Sequence, residues 1–201
     1  MPAQPYHHGD LRRTLLEAAA ASLETDGVDE LSLRRLARDA GVSHAAPSRH
    51  FRDKQALLDA LAEDGFRRLS AALERATGVE VTSSAGAREQ VDALARAYVG
   101  FALAQPTLLS LMFGLKHAPD AREELLAAGH ASMEIVVRVV TTGQEIRAIT
   151  AGDPHHIALV AFATFHGIAA LASGSLLDGV PADDLVTSAV DLFWRGLTPE
   201  P

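Results

Sequence analysis

The sequence predicts an all-α chain: an N-terminal three-helix head followed by a larger helical body. Three observations predict it. Apolar residues return every third or fourth position over long stretches, the spacing of a single helix face. Strand-like alternation is scarce, whereas Ala and Leu abound. Caps and breakers punctuate the periodic stretches, among them Gly27, Gly41, Gln105-Pro106 and Asp153-Pro154. With 201 residues, 48% of them hydrophobic and 22% charged, the chain can bury a sizeable core. It has no cysteine, which excludes disulfides and thiolate metal sites and suits a reducing cytoplasm. A net charge of −8 argues against general coating of nucleic acid, so any such contact must be local. The opening MPAQPYHHGDLRR has no apolar core of a secretory leader, and no membrane span is expected.

Residues 1–9 are expected as an arm. His7 and His8 adjoin there, but a chain end offers no fixed geometry for a metal, and none is expected. Asp10 suits a helix N-cap. The helix it opens runs to about Asp26, with Leu11, Leu15, Ala18, Ala19 and Leu23 on one face, and Gly27 ends it. Ser32 caps the next helix, in which Leu33, Leu36, Ala37 and Ala40 face inward, and Gly41 stops it in a left-handed conformation. Ser43 is then expected to cap a second short helix from His44 to about Phe51, with Pro47 in its first turn and Phe51 as its apolar anchor.

Two short helices joined by so tight a turn have the plan of a helix-turn-helix. The outward face of the second carries His44, Ala45, Ser48, Arg49 and His50. His44, Ala45 and Ala46 form a slim leading edge for a major groove, and Ser43, Ser48, Arg49 and His50 supply donors for base edges and phosphates. Residues 32–54 hold six Lys/Arg against two acids, a local charge of +4, whereas residues 55–201 hold ten against eighteen. The positive excess is confined to this stretch.

The body begins with Asp53, which caps a long helix running through Leu57, Leu61, Phe66 and Leu73 to about Thr77. Residues 78–86, GVEVTSSAG, read as a loop. A helix from about Ala87 to Ala104 follows, broken by Gln105-Pro106, and then the short apolar helix TLLSLMFGL. Pro119 opens a helix to about Thr142, after which residues 143–152 are read as a linker. Asp153-Pro154 starts a helix that is apolar nearly all round. Its small residues, with Ala163, Gly167, Ala170 and Gly174 among them, permit close approach by a partner. The last helix, Asp183 to about Leu197, carries the stripe Val186, Val190, Phe193 and Leu197. Two such helices hold more apolar surface than one core can cover, so a homodimer with a four-helix interface is expected.

The segment GVSHAAPSRHFRDKQALL resembles the recognition segment of the tetracycline-repressor (TetR) family, which Gly41, Val42, Ser43, Phe51 and Lys54 match. Ser48 stands where the family usually has Tyr, and Pro47 where Leu or Ile is commoner. YHHGDLR resembles the opening of one subgroup, and Phe165-His166-Gly167 resembles the Trp-His-Gly element of a TetR-type C-terminal domain. The resemblance implies a ligand-responsive regulator, a repressor by default, with residues 1–52 binding a double-stranded operator and residues 53–201 binding an effector and dimerising. It adds phosphate contacts at Lys54, Arg34 and Ser32. It also implies a small apolar effector among Phe66, Tyr98, Phe101, Met112, Phe113, His130, Met133, Phe162 and His166, although core packing accounts for each of these positions as well.

No Glu-x-x-His, phosphate loop, G-x-G-x-x-G or G-x-S-x-G occurs, so an enzyme is not expected, nor is a cofactor. His155 and His156 adjoin on a helix and point about 100° apart, too divergent to chelate. A helical small-molecule-binding protein or adaptor without specific DNA binding is the remaining alternative, and Pro47 and Ser48 are its support.

Overall fold

The computed structural model describes residues 8–198, so the arm reading of the first seven residues, including His7, lies outside it. Eight α-helices follow one another among the described residues: α1 (His8–Glu30), α2 (Leu33–Asp39), α3 (Lys54–Thr77), α4 (Ser84–Ala104), α5 (Pro106–Lys116), α6 (Glu123–Glu145), α7 (Pro154–Ser173) and α8 (Ala182–Leu197). The all-helical expectation holds, with the helix-turn-helix at its N-terminal end. Packing divides the chain into two compact units, one of residues up to Phe66 with Gln105–Ala127, the other of Arg67–Ala104 with the residues from Ala128 onward. This grouping differs from a boundary between residues 52 and 53, because α5 joins the head's unit.

In the first unit, α1 breaks at Gly27 (φ 81°, ψ 176°), as its breaker demands. It begins at His8, however, so Asp10 falls inside its first turn rather than at its cap. Leu15, Leu23, Leu31, Leu36, Phe51, Leu57 and Leu61 are all at most 2% exposed and form the interior. Asp53 caps α3 as read, accepting from the Ala56 N–H at 2.8 Å. Helix α5 begins with Pro106, which has no N–H to offer. The next two orphan donors, Thr107 N–H and Leu108 N–H, are taken by the Glu24 carboxylate of α1 at 3.1 and 2.7 Å. Gln105, at the cap position, gives no side-chain bond, so a residue far away in sequence does the capping. Beside it, Phe66 and Phe113 meet edge to face at 5.3 Å, with Lys116 over the Phe66 ring.

In the second unit, Val137, Val140, Ile149, Ala158 and Leu197 form a buried cluster against which Met133, Val136, Ile157, Phe193 and Trp194 pack. The residues read as a linker after Gly143 are ordered differently. Helix α6 runs on to Glu145, and Ala148 N–H and Ile149 N–H both return to the Gly143 carbonyl at 2.8 and 3.0 Å. Arg147 takes the left-handed conformation (φ 58°) that closes this end. Asp153 caps α7 as expected, accepting from His155 N–H at 2.9 Å, with Pro154 at the first position.

Two expectations are corrected here. Val186, Val190 and Leu197 turn inward, at 1%, 1% and 6% exposure, and Phe193 packs on the internal cluster. The stripe of α8 therefore builds this unit's own core. Much of the apolar surface left open lies on α7, where Leu159 and Val160 are about half exposed beside exposed Ala163 and Ala170 and half-buried Gly167, and Leu192 of α8 is exposed as well. Second, α6 and α7 are each long and apolar enough to cross a membrane by length and composition, contrary to the reading of no span. Residues 154–177 carry no Asp, Glu, Lys or Arg, because α7 is apolar both toward its unit and away from it.

Two measurements check these devices. Arg147→Gly removes the left-handed penalty of an L side chain and should raise stability by about 1 kcal/mol, read as a thermal midpoint about 2–4 °C higher. Glu24→Ala orphans two N–H groups and should cost about 1–2 kcal/mol in denaturant titration.

Candidate functional site

The turn between α2 and the recognition segment is built by backbone bonds. Val42 N–H reaches the Ala37 carbonyl at 2.9 Å and Gly41 N–H reaches Arg38 at 3.1 Å, with Gly41 at φ 66°. This is the paired closure that a left-handed residue permits at a helix end. Ser32 caps α2 as read, accepting from Arg35 N–H at 3.3 Å. The second helix expected over His44–Phe51 is not an α-helix. It is a turn followed by a 3₁₀ segment, Pro47–Arg49, held by Ala46 N–H to Ser43 at 2.9 Å, Arg49 N–H to Ala46 at 3.2 Å and His50 N–H to Pro47 at 2.9 Å. Proline's place explains it. With Ser43 at the cap, residue 47 is the first whose N–H would close an α-turn onto the Ser43 carbonyl, and proline has none. The missing donor is thus costly even though Pro47 lies in the first turn of the helix expected there.

The outward side chains are nonetheless presented as expected. Ser43, His44, Ala45, Ser48 and Arg49 are exposed; Ala46 and His50 are half-buried. Phe51 is 2% exposed and pins the segment, with the Arg12 guanidinium over its ring at 5.6 Å. The positive face is narrower than the charge count suggests. Arg35 is committed inward, bonding Asp26 at 2.5 Å and Asp39 at 3.5 Å. Arg38 pairs with Asp39 and Arg52 with Asp53 at the surface. Lys54 is half-buried and its Nζ donates to the Asp29 carbonyl at 3.0 Å. Among the described residues, Arg34 and Arg49 have neither an ion pair nor a hydrogen-bonded side-chain partner, and both are exposed.

The residues read as effector-binding fall into separate places. Phe66, Met112 and Phe113 belong to the first unit, Phe66 and Met112 being fully buried there. Tyr98, Phe162 and His166 come together in the second. The Tyr98 hydroxyl and His166 Nδ1 are 2.7 Å apart, Phe162 stacks on the His166 ring at 5.1 Å, and Tyr98 meets Phe162 edge to face at 5.8 Å. Phe101 is half-buried one turn along α4. His130 is exposed, and Met133 packs against the internal cluster of α6, α7 and α8. Burial pushes the Tyr98 hydroxyl up and the His166 imidazole down, favouring the uncharged form of both partners in this hydrogen bond. Of the Phe-His-Gly element, Phe165 is 2% exposed in the core, while Gly167 lies on the outer side of α7.

Two family models match the chain. "Bacterial regulatory proteins, tetR family" covers residues 15–61, and "Tetracyclin repressor-like, C-terminal domain" covers residues 91–193. The HTH-type transcriptional regulator Rv1816 of Mycobacterium tuberculosis is 31% identical over 196 residues, 92% of this chain and 73% of that protein. The chain belongs to the TetR family. It is a DNA-binding transcriptional regulator of that family. A solved structure of a protein of unknown function from Rhodococcus sp. RHA1 is 62% identical, with a TM-score of 0.88 over 98% of this chain and 100% of that one. The HTH-type transcriptional repressor Rv1474c of Mycobacterium tuberculosis is 38% identical over 69 residues, 34% of this chain and 37% of that repressor.

Sequence reasoning on this TetR-family chain missed two residues that hold the site, Arg12 and Arg35. Only Arg35 had a signal, its spacing of four from Asp39. Two predictions follow from the geometry. Pro47→Leu restores the absent N–H, so helical signal should rise and the residue 47 amide should gain exchange protection from the Ser43 carbonyl. For His166, the folded-state pKa lies below the unfolded value, so the unfolded chain binds more protons just below about pH 6.5. Stability should be full above that pH and fall as pH is lowered through it. His166→Gln should flatten that part of the profile of denaturation midpoint against pH.

Proposed function

We propose that two copies of this chain bind a near-palindromic operator and that a small apolar effector releases it, making the protein a repressor acting in the cytoplasm. The observation that carries the reading is the exposed edge Ser43-His44-Ala45 next to Arg49, behind a turn closed by Gly41. In this reading residues 1–52 are the DNA-binding part and residues 53–201 serve effector binding and dimerisation. Ser43, His44, Ala45 and Ala46 approach base edges; Ser48, Arg49 and His50 reach phosphates, with Ser32, Arg34 and Lys54 flanking them. Arg34 and Arg49 enter without breaking an ion pair, whereas Lys54 must share its ammonium with the Asp29 carbonyl.

The effector reading centres on Tyr98, Phe162 and His166, where two aromatic rings and one polar pair offer an apolar ligand both a surface and an orienting bond. Dimerisation is assigned to the open face of α7: Leu159, Val160, Ala163, Gly167, Ala170 and Gly174, with Leu171 beside them. The same apolar face makes a second subunit, rather than a membrane, its partner in this reading. The alternative, a helical binding protein without specific DNA affinity, draws on the 3₁₀ segment that replaces a full recognition helix.

One titration tests the reading. Duplexes selected from a random pool should bind far more tightly than random DNA, with a steep salt dependence. Arg49→Ala should weaken binding and reduce the salt slope by about one phosphate contact, with the fold unchanged. Equal affinity for selected and random duplexes would favour the alternative. Val160→Asp should convert a sedimenting dimer into single chains, since it puts a charge on the α7 face; a variant still sedimenting as two chains would remove that face from the interface.

A further inference from the structure

We propose that the cavity formed by the end of α3, the loop following it and the last turns of α6 is a second small-molecule site, one that takes an organic cation with an apolar body. The cavity has a volume of about 590 Å³. That lies within the range of roughly 300–1,000 Å³ that small-molecule sites occupy. Every residue that lines it belongs to the second unit, and Tyr98, Phe162 and His166 are not among them. It is therefore distinct from the effector position proposed above.

Its lining sets the occupant's chemistry. Ile135 and Val139 are buried and contribute an apolar wall, while Val79 stands 77% exposed beside it. An apolar side chain left so open on a loop gains by covering a ligand. Four charged side chains line the cavity: Glu74, Glu80, Glu145 and Arg138. Arg138 and Glu74 approach to 3.8 Å and largely cancel. Glu80 and Glu145 have no ion pair among the described residues, which leaves a net charge of about −2 on the lining. The last turns of both α3 and α6 also line it, through Glu74 and Thr77 on one side and Thr142 and Glu145 on the other. Helix C-termini carry a partial negative charge, so they favour the same sign of ligand.

The wall is held in place without a ligand. The Gln90 side-chain amide donates to the Thr77 carbonyl at 2.8 Å and to the Val79 carbonyl at 3.3 Å, tying the loop to α4. A preformed wall spares a ligand the cost of ordering it. A metal ion is a poor match, since no group of His, Asp and Glu among the described residues has metal-holding geometry. An anion meets two carboxylates without an ion pair and the negative ends of two helices. A neutral apolar molecule leaves both carboxylates unanswered. An apolar cation satisfies the wall and the charge together.

The test is a titration of the full chain with tetraphenylphosphonium, set against tetraphenylborate, an anion of the same shape, and against magnesium. Methyl resonances of Ile135 and Val139 report the place of binding. The expected result is one saturable phosphonium site per chain that shifts those methyls and weakens several-fold as salt is raised. The variant Glu80→Gln with Glu145→Gln should bind about fivefold or more weakly. Borate binding as tight as phosphonium binding would overturn the proposal. So would shifts that leave Ile135 and Val139 untouched, or competition by magnesium at equal concentration. The salt and methyl readouts need only the unmodified chain, so they decide the matter even where the double variant is unstable.

Discussion

The head depends on one backbone constraint. Gly41 adopts φ 66°, and only there can Val42 N–H fold back onto the Ala37 carbonyl while Gly41 N–H takes that of Arg38. That closure ends α2 after barely two turns and sends the chain off at an angle that exposes Ser43, His44 and Ala45. Phe51 then fixes the far end of the segment by burying its ring, with the Arg12 guanidinium over it. Between those two anchors the backbone has little freedom. The segment keeps its outward face even though it is not an α-helix, because its ends, and not its internal hydrogen bonds, hold it.

This separates what was legible from what was not. Caps and breakers are local chemistry, and they were readable: Ser32, Gly27, Gly41, Asp53 and Asp153-Pro154 each do in the structure what their residue types require. The recognition segment was misjudged by counting. Proline is harmless through the first three helical positions, but residue 47 is the fourth after Ser43, where the first α-turn must close. Arg147 was illegible for the opposite reason: nothing in an arginine announces a left-handed conformation, and its place is dictated by Ile149 packing back against Gly143. The cap that Glu24 gives α5 spans more than eighty residues of sequence and leaves no local trace.

The terminal helices show a different limit. Periodicity gives α8 an apolar stripe, and the stripe is real, but periodicity does not say which neighbour it meets. Val186, Val190 and Leu197 meet α4, α6 and α7 of their own unit. Helix α7 has no stripe because both of its sides are apolar, and the side rich in Ala and Gly is the one left open. A Cβ placed at Gly167 finds no atom of this chain within 4 Å, so that position is open, as the dimer proposed above requires. Space reserved for a larger side chain, and left empty by this subunit, is what a close helix crossing between two copies needs.

Doubling also answers an electrostatic problem in the head. Three of the six cations in residues 32–54 are paired with carboxylates, and Lys54 is tied to a carbonyl. Within residues 32–54 that leaves two cations free of any rearrangement, Arg34 and Arg49, on a chain of net charge −8. Since affinity for DNA scales with the number of phosphates neutralised, so small a patch is weak by itself. In the dimer proposed above, a second patch would bind as an intramolecular event, at an effective concentration far above that of free protein. In that dimer, the sparse positive charge of the head and the open apolar face of α7 serve one end: the first limits what a single subunit offers a duplex, and the second would join two.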